Sequence, residues 1–188
     1  LLAYSSIAQV GYMLMAVTAL SEAKGSETAG ALLVHLGGYL VTNLVVFMAV
    51  THFYNRTKKE VISDFKGLAQ TNPYLALVIT AGLFSLAGMP LLAGFFTKFI
   101  LFQAVADADY LWLVVVGVVA STVSLFYYLQ VIKQMYLYEP LEDVRWRISP
   151  TGYLVTGALF VTMVVLGLWG TPLYKVADAA AKALFIAS

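Results

Sequence analysis

Long apolar runs separated by short polar connectors leave this chain few ways to fold. The runs fall at roughly 1–20, 28–54, 73–105, 111–138 and 151–171. A helix that crosses a hydrocarbon core about 30 Å thick needs about 20 mostly apolar residues, and each run supplies that many or more. The runs lack the polar/apolar alternation of membrane strands, so they read as helices. A soluble domain of 188 residues could not hide a 61% hydrophobic composition behind only 11% charged residues, because too little polar surface would be left to face water. The expected fold class is therefore an all-α polytopic membrane protein of about five transmembrane helices. It forms one transmembrane unit over 1–188, with an amphipathic tail at 172–188 carrying Lys175 and Lys182. The absence of cysteine excludes disulfides and thiolate metal sites. A net charge of +1 without a basic cluster excludes nucleic acid as a partner. The chain opens Leu-Leu-Ala-Tyr with no Met and no charged leader, which reads as a fragment.

Five spans place alternate connectors on opposite sides of the bilayer. Arg56, Lys58, Lys59 and Lys66 lie in connector 55–72, and Arg145 and Arg147 in connector 139–150. The opposite side holds Lys24 and the two tail lysines, with none in 106–110. Because positive charge is retained in the cytoplasm, connectors 55–72 and 139–150 are expected there and the C-terminus outside.

The third run is too long. As one straight helix, 73–105 would reach about 50 Å, well beyond the hydrocarbon core. It also contains Ser85-Leu-Ala-Gly-Met-Pro-Leu-Leu-Ala-Gly94. Pro90 removes an N–H and clashes with the preceding turn, and Gly88 and Gly94 add backbone freedom on either side. A helix broken around Gly88–Gly94 is expected. Inside a membrane such a break needs neighbouring protein or a wet cavity to satisfy the freed backbone groups. An ordinary proline kink is the alternative.

Lys98 follows the break by one to two turns, which puts it about 12 Å from the outer end of the run, further than its stem can snorkel in full. A lysine at the centre of a membrane helix costs about 2.5–3.5 kcal/mol on insertion scales, so it usually faces a bundle interior or a wet cavity. An amine in such a place can take up and release a proton, which an arginine cannot. Lys98 is thus the candidate gate of an outer half-channel, and a snorkelling anchor is the other reading. His35 lies at similar depth in the second run, and Tyr39 and Thr42 extend a polar line from it at helical spacing. Histidine suits a proton relay, and a hydrogen bond to a neighbouring helix is the plain alternative. His52 and Lys133 lie near the cytoplasmic interface, where anchoring explains them. Ser121, Ser124 and Tyr128 read as a helix-packing face.

The motifs Leu1-Leu-Ala-Tyr-Ser-Ser-Ile-Ala-Gln-Val-Gly-Tyr12, Ser85-Leu-Ala-Gly-Met-Pro90, Gly94-Phe-Phe-Thr-Lys-Phe99 and Tyr127-Tyr-Leu-Gln-Val-Ile-Lys-Gln-Met-Tyr136 resemble the subunit N family of NADH:quinone oxidoreductase, respiratory complex I. The resemblance covers essentially the whole chain and implies the last five of fourteen transmembrane helices of an antiporter-like proton-channel subunit. It places the family's outlet lysine on Lys98. Lys98 is followed by Phe99 rather than by an aspartate, which favours this family over its paralogues. His35 stands where the family more often has tyrosine, and Val45 and Val46 replace smaller residues. The family's glutamate and lysine of helices five and seven are implied to lie ahead of Leu1.

The resemblance implies a proton-translocating translocase subunit with no redox site of its own. No cofactor is expected in this chain; NADH, FMN, iron–sulfur clusters and quinone are expected elsewhere in the complex. The partners implied are the other membrane-arm subunits, the lipid bilayer and, through the complex, the quinone pool. The location implied is a bacterial plasma membrane or an equivalent energy-transducing membrane. A subunit of a multisubunit cation/proton antiporter and a non-pumping membrane scaffold remain the alternatives.

Overall fold

A computed structural model describes residues 1–20, 24–140 and 145–186. Ser21, the middle of the connector 139–150 and Ser188 lie outside the described residues. All regular structure in the described residues is helical: α1 (Leu2–Thr18), α2 (Gly25–Thr57), α3 (Leu68–Thr71), α4 (Pro73–Ala87), α5 (Ala93–Asp107), α6 (Leu111–Leu137), α7 (Pro150–Leu168) and α8 (Thr171–Ile186). Three of these, α2, α6 and α7, are long and apolar enough to cross a membrane; α1 and α4 are apolar but shorter.

The connector between α2 and α4 is more ordered than its polarity suggests. Residues Ile62–Phe65 form a single 3₁₀ turn, closed by the Asp64 carboxylate accepting from the Val61 N–H at 3.1 Å. After α3, the Asn72 side chain caps α4 by accepting from the Leu75 N–H at 3.1 Å, and Pro73 takes the first helical position. That is the place where a missing N–H costs least. Ser149 and Pro150 start α7 in the same way, with the Ser149 hydroxyl accepting from the Gly152 N–H.

The hub of the bundle is α2, which packs against α8, α5, α4 and α7 and also touches α1. Small residues let the backbones approach. A Cβ at Gly38 would run into Thr97 of α5, and one at Gly82 would run into Val46 of α2. Such close helix contact is how helices associate where lipid supplies no hydrophobic drive. By contrast, α6 lies on the outside of the bundle and exposes a valine-rich face, including Val115, Val116, Val119 and Val123.

Two apolar clusters are buried. One joins Val45, Val46, Ala49 and Phe53 of α2 with Leu75, Ile79 and Leu83 of α4. The other joins Tyr12 and Ala16 of α1, Ala31 of α2, and Leu101 and Val105 of α5. On α2 the buried polar residues His35 and Thr42 fall between the two clusters. The bundle therefore carries a polar layer at mid-depth, between two oily ones.

Candidate functional site

The polar layer is organised by the end of α4. Any α-helix leaves its last four carbonyls without an intrahelical partner. Here the chain turns at Gly88, whose φ of +87° is open to glycine at little cost. The Gly88 N–H reaches the Ser85 carbonyl at 3.0 Å, and the Met89 N–H reaches the Phe84 carbonyl at 2.9 Å. This is the Schellman arrangement, and it satisfies two of the four carbonyls. The carbonyls of Leu86 and Ala87 are left over, and side chains from three other helices take them. Leu86 O accepts from Lys98 Nζ at 2.8 Å and from Gln9 Nε2 at 3.1 Å. Ala87 O accepts from the Ser121 hydroxyl at 2.8 Å, and the same Ser121 oxygen accepts from Lys98 Nζ at 2.9 Å.

Lys98, only 5% exposed, thus holds its ammonium against the negative end of a helix dipole. The face of the Tyr12 ring lies 4.7 Å away, and a ring face attracts a cation more strongly where water is excluded. Among the described residues, no carboxylate is a hydrogen-bonding partner of this ammonium. Its stabilisation comes from carbonyls, a hydroxyl and a π face.

The start of α5 locks onto the same helix end. The Ser85 hydroxyl accepts from the Gly94 N–H at 3.0 Å and exchanges a 2.9 Å hydrogen bond with Thr42 of α2. A Cβ at Gly94 would collide with the Ser85 carbonyl. The five residues between the helices include exposed Pro90 and Leu91, the latter at a φ of +75°, a conformation that costs an L-residue about 1–2 kcal/mol.

His35, 1% exposed, pairs its Nδ1 with the Thr97 hydroxyl at 3.3 Å, while its Nε2 is buried without a partner. The Tyr12 ring stands edge-on to the imidazole, 6.5 Å between centroids, so Tyr12 touches both candidate residues. Gln9, His35, Ser85 and Thr97 border a chamber of about 10 Å³, the space one water molecule needs. The structure therefore gathers Lys98, His35, Gly88 and Gly94 at one place, while Pro90 faces outward.

Four contributors escaped the sequence reading: Gln9, Tyr12, Thr97 and Ser121. Gln9 gave a signal as a lone amide in an apolar helix. Ser121 was assigned to packing, yet it bonds the candidate amine. Ser124 bonds its own helix at Ala120 O, and Tyr128 bonds the Ser5 hydroxyl, as a packing face would. Lys133 is exposed, its ammonium 6.0 Å from the Tyr138 ring centre, and His52 lies by the start of α7 beside Gly152. Among the described residues no three His, Asp or Glu side chains come together as metal ligands.

A family described as NADH:quinone oxidoreductase/Mrp antiporter, TM, matches residues 1–124. NADH-quinone oxidoreductase subunit N of Moorella thermoacetica is 38% identical over 187 residues, which cover 99% of this chain and 38% of that protein. A chain of respiratory complex I from Thermus thermophilus with bound aureothin superposes with a TM-score of 0.72 at 29% identity, over 93% of this chain and 39% of that one. A chain of the Mrp complex from Dietzia sp. DQ12-45-1b gives a TM-score of 0.82 at 24% identity, over 98% of this chain and 42% of that one. The last likeness concerns the fold alone. This chain spans about two-fifths of the length of the relatives it matches.

Proposed function

We propose, from the premise that this chain belongs to the NADH:quinone oxidoreductase/Mrp antiporter transmembrane family, that it carries a proton half-channel of a complex I membrane-arm subunit. In this reading five spans cross the bilayer: α1, α2, α4 with α5, α6, and α7. The pair α4 and α5 counts as one discontinuous span, because together their 30 helical residues reach about 45 Å. The remaining subunits of the arm are the partners. Quinone reduction, which drives the cycle, takes place elsewhere in the complex.

The observation that carries the reading is the setting of the Lys98 ammonium on the Leu86 carbonyl and Ser121 hydroxyl, with no carboxylate among the described residues bonded to it. An ammonium paired with a buried carboxylate is held strongly, because separating the two leaves a charge uncompensated. One held by carbonyls and a hydroxyl is more easily exchanged. When Lys98 gives up a proton, its amine keeps a lone pair. Ser121 can then turn its hydroxyl from Ala87 O and donate to that nitrogen. The proton moves toward the polar layer of Gln9, Thr97 and His35. A returning proton reverses both changes. Met89, Pro90 and Leu91 form the turn that leaves the α4 carbonyls free for this purpose.

The test uses the assembled complex in sealed vesicles, with proton uptake and donor-to-quinone turnover measured together. Lys98→Met and Lys98→Arg are both expected to assemble and to lose most proton uptake, because arginine keeps the charge without exchanging the proton. Full proton stoichiometry in Lys98→Met would remove Lys98 from the path. Good rescue by arginine would favour the scaffold reading, in which any cation suffices. A cation/proton antiporter is the second reading, favoured by the matched family's description, which joins NADH:quinone oxidoreductase with the Mrp antiporter. Sodium-driven proton movement without quinone turnover would select it.

A further inference from the structure

We propose that the outer mouth of this proton path opens between α2, α5 and α8, and that the Phe96 ring closes its floor. The proposal rests on the half-channel reading for what passes, but not for where the opening is. A cavity of about 620 Å³ lies between these three helices. Its wall carries Glu27, Asp107 and Asp178 together with Lys24 and Lys182. These charges are partly tied among themselves. Lys24 Nζ donates to the Asp107 carbonyl, and Lys182 pairs with Asp178 at 2.7 Å. That pairing raises the Lys182 ammonium above the ordinary lysine range. The wall is therefore wettable, unlike the valine-rich face of α6.

The floor of this vestibule is apolar and includes Ala31, Phe96 and Ile100. His35 follows Ala31 by one helical turn, about 6 Å along the axis, and Thr97 precedes Ile100 by about 4.5 Å. On the far side of that turn lies the one-water chamber bordered by His35 and Thr97, where the buried His35 Nε2 has no partner. A buried polar nitrogen without a partner points to a functional role. A polar vestibule and a polar chamber thus face each other across a single apolar turn.

The geometry also links the floor to the far corner of the bundle. A Cβ at Gly170, between α7 and α8, would overlap the Phe96 ring. The ring is therefore seated against the backbone of the α7–α8 junction, and α8 forms one wall of the vestibule.

These 188 residues contain no cysteine, so a peptide from them that carries an introduced cysteine reports the surroundings of that cysteine alone. The assembled complex is placed in membranes of known orientation and treated from the outer face with a charged, membrane-impermeant methanethiosulfonate. Labelling is read from the mass of that peptide. Gln103→Cys in the vestibule wall is expected to label rapidly, Ile100→Cys in the floor slowly, and lipid-facing Val116→Cys hardly at all. Phe96→Ala, or Phe96→Leu if the alanine form does not assemble, is expected to speed labelling at Ile100→Cys by tenfold or more.

No labelling of Gln103→Cys from the outer face would overturn the mouth. Equal labelling of Gln103→Cys and Val116→Cys would do the same. An Ile100→Cys rate indifferent to Phe96 would overturn the gate. Repeating the labelling in Lys98→Met separates this proposal from the half-channel reading. If that variant pumps normally, the role of Lys98 falls, and the labelling pattern still decides the vestibule.

Discussion

Ser121 is the residue whose role the structure changes most. It projects from a helix with one valine-rich outer face, and it closes two gaps at once: it accepts from Lys98 and donates to the stranded Ala87 carbonyl. Leaving a buried acceptor without a donor costs about 1–3 kcal/mol, and the half-buried Ala87 carbonyl sits toward the low end of that range. Ser121→Ala is therefore expected to slow proton uptake about tenfold, the factor that about 1.4 kcal/mol of barrier produces. Ser121→Thr, which keeps the hydroxyl, is expected to retain most of the rate. The measurement is uptake in the assembled complex for both variants. Alanine and threonine forms that pump alike would reduce Ser121 to packing. Lys98 and His35 were legible in the sequence, because charge and imidazole are conspicuous in apolar runs. Their partners were not. Ser121 lies 23 residues from Lys98, and Gln9 lies 77 residues from the carbonyl it shares with that lysine. Only the packing of four helices makes them neighbours.

At the scale of the element, the turn between α4 and α5 separates roles that the sequence attaches jointly to Gly88, Pro90 and Gly94. α4 is ended by the Gly88 turn, two residues before the proline, and Pro90 itself is exposed. Proline after a helix cap forbids continuation rather than making the cap. Gly94 matters for another reason, since any Cβ there meets the Ser85 backbone. Gly94→Ala is thus expected to push α5 off the end of α4 and to destabilise by about 1–3 kcal/mol, as overpacking does. Pro90→Ala is expected to cost less than about 1 kcal/mol, as exposed substitutions usually do. Thermal stability of the purified assembly compares the two. A Pro90→Ala loss as large as that of Gly94→Ala would return the break to the proline. The helical, membrane-embedded class was readable because long unalternated apolar runs admit little else. Which glycine caps a helix and which makes room for one was not, because both functions depend on where the backbone of another segment lies.

Across the whole molecule, charge separates along α2. Arg56, Lys59 and Lys66 gather around one cavity with Pro140 and Trp146, so the connectors on either side of α4–α6 meet at the same end. Lys24 and Lys182 border the vestibule at the other. The aromatic residues Phe53, Phe65 and Trp146 pack beneath the basic end, Phe53 stacked on Phe65 at 4.1 Å and tilted to Trp146 at 6.5 Å. If Lys and Arg are retained in the cytoplasm, the basic end is expected inside and the vestibule outside. An alkaline phosphatase reporter, active only outside the cytoplasm, is expected to be active when fused after Ser188 and silent when inserted between Lys58 and Lys59. The reverse pattern in stable, assembled fusions would invert the bundle. It would also turn the α2–α5–α8 vestibule into an entrance, so the orientation decides the direction of every proton step argued from Lys98.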